Sequence, residues 1–329
     1  MAFLKRKTVV LQSIRFAVSA GLILWLLHQA QFEELAAALR RSAWWLFALS
    51  TLILCARQII ATCRWAIILA AVRISVPLAR LLYWYMTATF FNMFLPTALG
   101  GDVVRIYQLA KNTGRNADAA ASVLMERILG FLALIGMAVV ALLLSAKARR
   151  EPTIYGGVLV AAIAFVAVLV ALFHRGFGRM TIRLFRRVGL QRLGEKTERG
   201  YAALYTLQEH RTSIFLAFLI SVVFQVVGIV CTYLLGLSLG LNVSLGYYFV
   251  SVPIIWLLTM LPVSINGIGV REGGFVLFFT AIGVSHSSAL LLSFLCFVQL
   301  AFVGLLGGVT YLVYPFLDQS HSSATDTSC

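Results

Sequence analysis

Residues 10–29, 44–71, 118–145, 153–173, 213–236 and 287–314 form apolar runs. Each is long enough to cross about 30 Å of hydrocarbon as an α-helix. Lipid offers a backbone amide no hydrogen-bond partner, so only helices and closed barrels span it, and runs of this length belong to helices. The balance of residues agrees, with 61% hydrophobic and only 12% charged over 329 residues, where soluble domains carry about 25% charged. The expected class is an all-α polytopic membrane protein with about six full transmembrane helices. Lys and Arg outnumber Asp and Glu by 27 to 12, a formal net charge of +15. In such a chain that excess marks cytoplasmic loops and contact with anionic lipid headgroups. A nucleic-acid role would need a soluble basic domain, and none is visible. Lys5, Arg6 and Lys7 precede the first run, which reads as a retained helix with a cytoplasmic N-terminus rather than a cleaved signal.

Two further apolar stretches, 78–111 and 246–284, are broken in the middle by LPTALGGDVVR (95–105) and LPVSINGIGVR (261–271). Pro96 and Pro262 are 166 positions apart, and so are Arg105 and Arg271. A proline and an arginine with the same spacing inside apolar surroundings point to an internal duplication. The prolines are expected as hinges, each in a re-entrant hairpin. If the N-terminus and the basic insert at 174–211 both face the cytoplasm, segment 78–111 makes no net crossing. Three unbroken helices separate the motifs, and an odd number inverts the second copy. The prediction is two broken re-entrant hairpins in an inverted repeat, with halves at about 44–145 and 213–314 and hairpin tips meeting near mid-bilayer.

Broken backbone at that depth survives only where it is buried in protein or lines a water-filled cavity. Gly100 and Gly101 permit close approach. A helix restarting near Val103 would aim N–H groups into the break, and Arg105 would add a guanidinium fork suited to phosphate. Asn266, Gly267, Gly269 and Arg271 repeat the plan. Asp102 and Glu272 leave alternatives open: the arginines bind an anion, lock the hairpins as ion pairs, or snorkel to an interface. Arg57 and Arg64 share a face of helix 44–71, Arg57 toward the bundle interior and Arg64 placed to snorkel inward. Glu126 and Arg127, adjacent in sequence, do not face each other, and either can pair with a hairpin charge. Glu126 reads as an ion-pair partner or a proton carrier.

The insert carries arginines with Met180, Leu184, Phe185 and Val188 at helical spacing, a basic amphipathic helix for an anionic leaflet or a plain topology signal. Residues 32–41 read as a short surface helix. Residues 1–316 form one transmembrane domain and 317–329 a disordered tail. The five cysteines and five histidines show no metal-ligand or CxxC spacing, so no metal or cofactor is expected. No ATP-binding motif is present.

The two motifs, with ERILG at 126–130, resemble the lysylphosphatidylglycerol synthase transmembrane-region family over about residues 10–314. The resemblance implies a polytopic domain that moves a lipid headgroup between leaflets. It carries over Pro96, Gly100, Gly101, Asp102, Arg105, Glu126, Arg127, Pro262, Gly267, Gly269, Arg271 and Glu272. The aminoacyl-transfer half found in some relatives is missing, so no enzyme activity is expected. The expected function is translocation of an anionic, phosphate-bearing lipid such as an anionic phospholipid or polyprenyl phosphate. A soluble-anion transporter and a lipid-modifying transferase are the alternatives. Membrane lipids are the expected partners, with self-association open and nucleic acid excluded. The expected location is a prokaryotic cytoplasmic membrane.

Overall fold

The structure, a computed structural model, describes residues 39–40, 42–94, 100–144, 155–156, 159, 163, 165–167, 191–259, 264 and 267–325. The runs at 10–29 and 153–173, the surface helix at 32–41, the amphipathic stretch at 180–188, Pro96, Pro262 and Asn266 fall outside these residues wholly or in large part.

The described residues are helical and contain no strand. The elements are α1 (Trp44–Ala71), α2 (Leu78–Phe94), α3 (Gly100–Thr113), α4 (Asn116–Leu144), α5 (Gln191–Glu209), α6 (Arg211–Ser238), α7 (Leu245–Thr259), α8 (Val270–Thr280) and α9 (His286–Thr325). Helices α1, α4 and α6, with residues 286–313 of α9, are long and apolar enough to cross a membrane. Their outward faces keep large apolar side chains exposed, among them Leu52, Leu143, Phe215 and Leu305. Such a surface is costly in water and ordinary against lipid.

The repeat is visible in the helix boundaries. A shift of 167 places Trp44 on Arg211 and Ala71 on Ser238, and both helices have 28 residues. The same shift places Leu78 on Leu245 and Thr113 on Thr280. The motif arginines are 166 apart, so the stretch from the start of the hairpin to its arginine is one residue shorter in the second copy, Leu245 to Arg271 against Leu78 to Arg105. Packing follows the same exchange. Helix α2 lies along α9 as α7 lies along α4, and α3 packs on α4 as α8 packs on α9.

Helices α1 and α6 form the most extensive contact and run antiparallel. The Ala43 amide donates to the Ser238 carbonyl at 2.8 Å, Ser50 to Cys231 at 3.0 Å, and Arg57 to Phe224 at 2.8 Å. Two membrane-spanning helices related by a twofold axis and antiparallel to each other are inverted copies. The axis passes beside Arg57 and Phe224, which are each other's counterparts under the shift.

Each hairpin starts and finishes at one end of the bundle, and the two ends differ. Arg115 donates to the Val72 carbonyl at 2.8 Å, so the end of α1, both outer ends of the α2–α3 hairpin and the start of α4 lie together. The other end gathers the start of α1 and the end of α6. The loops 240–244 and 282–285 line one cavity there and flank the α7–α8 hairpin. Arg73, Arg80, Lys111, Arg115 and Arg211 occupy the first end. Among the described residues the second end has Arg40 and otherwise uncharged loops.

Two apolar cores fill the ends. One includes Trp65, Ile68, Leu81 and Leu109; the other includes Ile254, Phe275, Phe279 and Leu291. The polar insert contributes to the first, because α5 turns Ala203, Leu204 and Leu207 onto Ala119 and Val123. Helix α9 continues to Thr325.

Candidate functional site

The buried charges lie between the two cores. In the first turns of α3, Asp102 and Arg105 are three residues apart and share a face. That face meets α4. Arg105 donates through Nη1 to Glu126 Oε2 at 2.6 Å and through Nη2 to Asp102 Oδ1 at 2.8 Å. The other oxygen of Glu126 accepts from Arg64 Nη2 at 2.5 Å and from the Tyr85 hydroxyl at 2.9 Å. The other oxygen of Asp102 accepts from Arg127 Nε at 2.6 Å. The result is one chain, Arg64–Glu126–Arg105–Asp102–Arg127. The Arg105 side chain is only 5% exposed and that of Glu126 only 2%, so water contributes little to holding these charges. Tyr85 and Trp65 present ring faces to Arg105, with centroids at 4.5 and 5.1 Å. The chain lines a cavity of about 170 Å³.

This arrangement revises one expectation. Arg64 does not snorkel; Glu126 and the Ser221 hydroxyl (3.2 Å) hold it inside the bundle. An available carboxylate is worth more to a guanidinium than a longer reach to water. Arg105 has the partners that the locking alternative requires.

A second cavity, about 320 Å³, lies where the inner ends of the hairpins meet. Asn92 comes from α2, Trp256 and Thr259 from α7, and the arginines from three other helices: Arg57 on α1, Arg127 on α4 and Arg271 on α8. Thr89, Asn92 and Arg127 also line the first cavity, so the two adjoin. Arg57 is 13 residues from Trp44 and 14 from Ala71, halfway along a helix of spanning length. Its Nε donates to the Phe224 carbonyl at 2.8 Å and its Nη2 to Gln225 Oε1 at 3.4 Å. The guanidinium carbon lies 3.5 Å from the Phe224 ring centroid and 5.6 Å from that of Trp256. Among the described residues no carboxylate pairs with Arg57. Gly228 makes room for it, since a Cβ there would come within 2.6 Å of Trp256 and 3.0 Å of the Arg57 guanidinium. Arg271 pairs with Glu272 at 2.5 Å and meets Ser293 at 3.4 Å and the Phe297 ring at 5.1 Å, both on α9.

The helix starts inside the breaks are occupied by the chain itself. The Gly101 amide donates to Asn92 Oδ1 at 2.7 Å, and the Gly269 amide donates to Glu272 Oε2 at 2.6 Å. The N–H groups expected to meet an anion are in part capped. The glycines serve the backbone. A Cβ at Gly101 would lie 2.1 Å from the Ala88 carbonyl oxygen, so α3 touches α2 directly. Gly267 and Gly269 take positive φ values of 74° and 86° in the turn before α8. Gly100 is buried at the start of α3.

Of the sequence-derived candidates, Asp102, Arg105, Glu126 and Arg127 join in the first network. Arg127 and Arg271 face the second cavity, with Glu272 on Arg271. Arg57 and Arg64 complete the cluster. Both carried a signal as charges within an apolar run, whereas Gln225 in α6 is an uncharged polar residue in such a run. Tyr85, Asn92 and Trp256 carried none, because aromatic and amide residues are ordinary at helix ends in membrane proteins.

Fold and cavity together define an integral membrane protein built as an inverted helical repeat around a buried cationic centre. The chain belongs to the lysylphosphatidylglycerol synthase transmembrane-region family, which matches it over residues 12–308. This membership associates the protein with a membrane-lipid-related function. No curated protein and no solved structure matches the chain.

Proposed function

We propose that this protein moves an anionic, phosphate-bearing lipid between leaflets by exposing the central cavity alternately to either side. One observation carries the reading. Among the described residues, five arginines, Arg57, Arg64, Arg105, Arg127 and Arg271, meet at mid-bundle with three carboxylates, Asp102, Glu126 and Glu272. An uncompensated charge at mid-bilayer costs about 2.5–3.5 kcal/mol even on lenient scales. A cavity with surplus guanidinium is therefore complementary to an anion, and guanidinium geometry matches phosphate oxygens.

An apolar groove of about 790 Å³ supports lipid over a soluble anion. Met137 and Val140 of α4 and Val222 and Val226 of α6 line it. Met137 is three residues from Leu134, and Val222 three from Gln225, both of the first cavity. That proximity suits an acyl or prenyl chain attached to a headgroup in the cationic centre. The positive end of the bundle faces the cytoplasm in this reading, with the α2–α3 hairpin entering from that side. The chain acts as a carrier and no catalytic group is assigned. Native mass spectrometry of the purified protein tests the proposal. A phosphate-bearing lipid of net negative charge should be retained by the wild type and lost from Arg57→Gln/Arg271→Gln. Retention only of lipids without net negative charge would overturn it.

A further inference from the structure

We infer that the central cavity is matched to a headgroup carrying two negative charges, a phosphate monoester or diphosphate, and that Arg57 reads the second charge. The inference rests on the reading above and specifies its cargo. Among the described residues, five guanidinium groups against three carboxylates leave an excess of two. The excess has two distinct sources. One is the chain Arg64–Glu126–Arg105–Asp102–Arg127, with three cations and two anions. Arg271 and Glu272 cancel. The other source is Arg57, which is held by a carbonyl, an amide and two aromatic rings, all uncharged.

Its position gives this second charge a role of its own. The repeat axis passes beside Arg57, and its counterpart there is Phe224, so only one repeat supplies a charge at the centre. A group on the axis stays central when the two halves exchange conformations. It therefore faces the cargo from either side. Arg57 and Arg127, one from each source, line the same 320 Å³ cavity. A monoanionic diester neutralises one source; a dianionic phosphate neutralises both. Desolvated charges are held only when compensated, so the dianion is the favoured cargo. A lysylphosphatidylglycerol headgroup, with two ammonium groups against one phosphate, would add positive charge and is disfavoured.

The test compares binding of phosphatidic acid, phosphatidylglycerol, lysylphosphatidylglycerol and phosphatidylcholine with identical tails to the full-length protein in mixed micelles. At pH 8 a phosphate monoester carries close to two charges, and at pH 5.5 closer to one. The wild type should favour phosphatidic acid over phosphatidylglycerol by about tenfold or more at pH 8. The preference should shrink at pH 5.5, and lysylphosphatidylglycerol should bind more weakly than phosphatidylglycerol. Arg57→Gln should remove most of the preference and Arg57→Lys should keep more of it. Equal affinities of the wild type for the two anionic lipids at pH 8 overturn this inference, and the proposed function then still stands. So does a preference unchanged by pH or by Arg57→Gln. If neither anionic lipid outcompetes phosphatidylcholine, the proposed function itself fails.

Discussion

Replacing Glu126 with glutamine keeps the size of the side chain and removes one charge. In the native protein its two oxygens receive Arg64 at 2.5 Å, Arg105 at 2.6 Å and the Tyr85 hydroxyl at 2.9 Å. The site is 2% exposed, so water cannot replace the lost carboxylate. Glutamine offers one acceptor oxygen and turns an NH₂ toward a second guanidinium, which already donates. Removing one partner of a buried ion pair costs about 3–5 kcal/mol, and here two arginines lose the same partner. Glu126→Gln should therefore fall in that range by equilibrium unfolding in mixed micelles with a denaturing detergent. Adding Arg64→Gln restores the local balance to two cations and one anion, the original excess of one. The double variant should recover about 2 kcal/mol relative to Glu126→Gln, a coupling expected for direct contact. A loss below about 1 kcal/mol, or simple additivity, would refute a shared buried carboxylate.

The packing glycines give a paired prediction. A Cβ at Gly307 would lie 2.2 Å from the Met86 carbonyl oxygen, whereas one at Gly136 meets nothing within 4 Å. Gly307→Ala must push α9 off α2 and should cost about 1–3 kcal/mol in thermal or detergent unfolding; Gly136→Ala should be neutral or stabilising by about 0.5–1 kcal/mol. Side-specific labelling tests the inversion. In a background without native cysteines, Asn112→Cys and Asn242→Cys, both exposed at the outer ends of the hairpins, should react with impermeant maleimide from opposite sides of sealed vesicles. Labelling of both from one side contradicts the antiparallel packing of α1 and α6.

The helices were legible where composition changes sharply. The run read at 44–71 is Trp44–Ala71, and the broken segment read at 78–111 spans Leu78–Thr113. Polar residues at the membrane boundary punctuate both. The breaks were legible because proline, paired glycines and arginine are costly in a continuous membrane helix. The ion-pair partners were less so. Glu126 lies 21 residues from Arg105 and 62 from Arg64, and adjacency in sequence says nothing of which helices pack. Arg64 shows the consequence, since its depth suggested an escape to water and a carboxylate on α4 keeps it inside. Arg57 was marked by its charge, yet its place on the repeat axis beside Phe224 emerges only once α1 and α6 cross. The capped helix starts were hidden for a related reason: Asn92 and Glu272 do locally what an anion was expected to do.

In the proposed function an anionic headgroup passes through the cavity between the hairpin tips. Vesicles containing the purified protein and a fluorescent anionic phospholipid test it, with the outer leaflet bleached chemically and the remaining signal followed over time. The wild type should deplete the inner-leaflet signal, and Arg57→Gln/Arg271→Gln should slow this by about tenfold or more while remaining folded. Equal rates for the wild type and the double variant, or a wild-type rate no faster than that of protein-free vesicles, would contradict it.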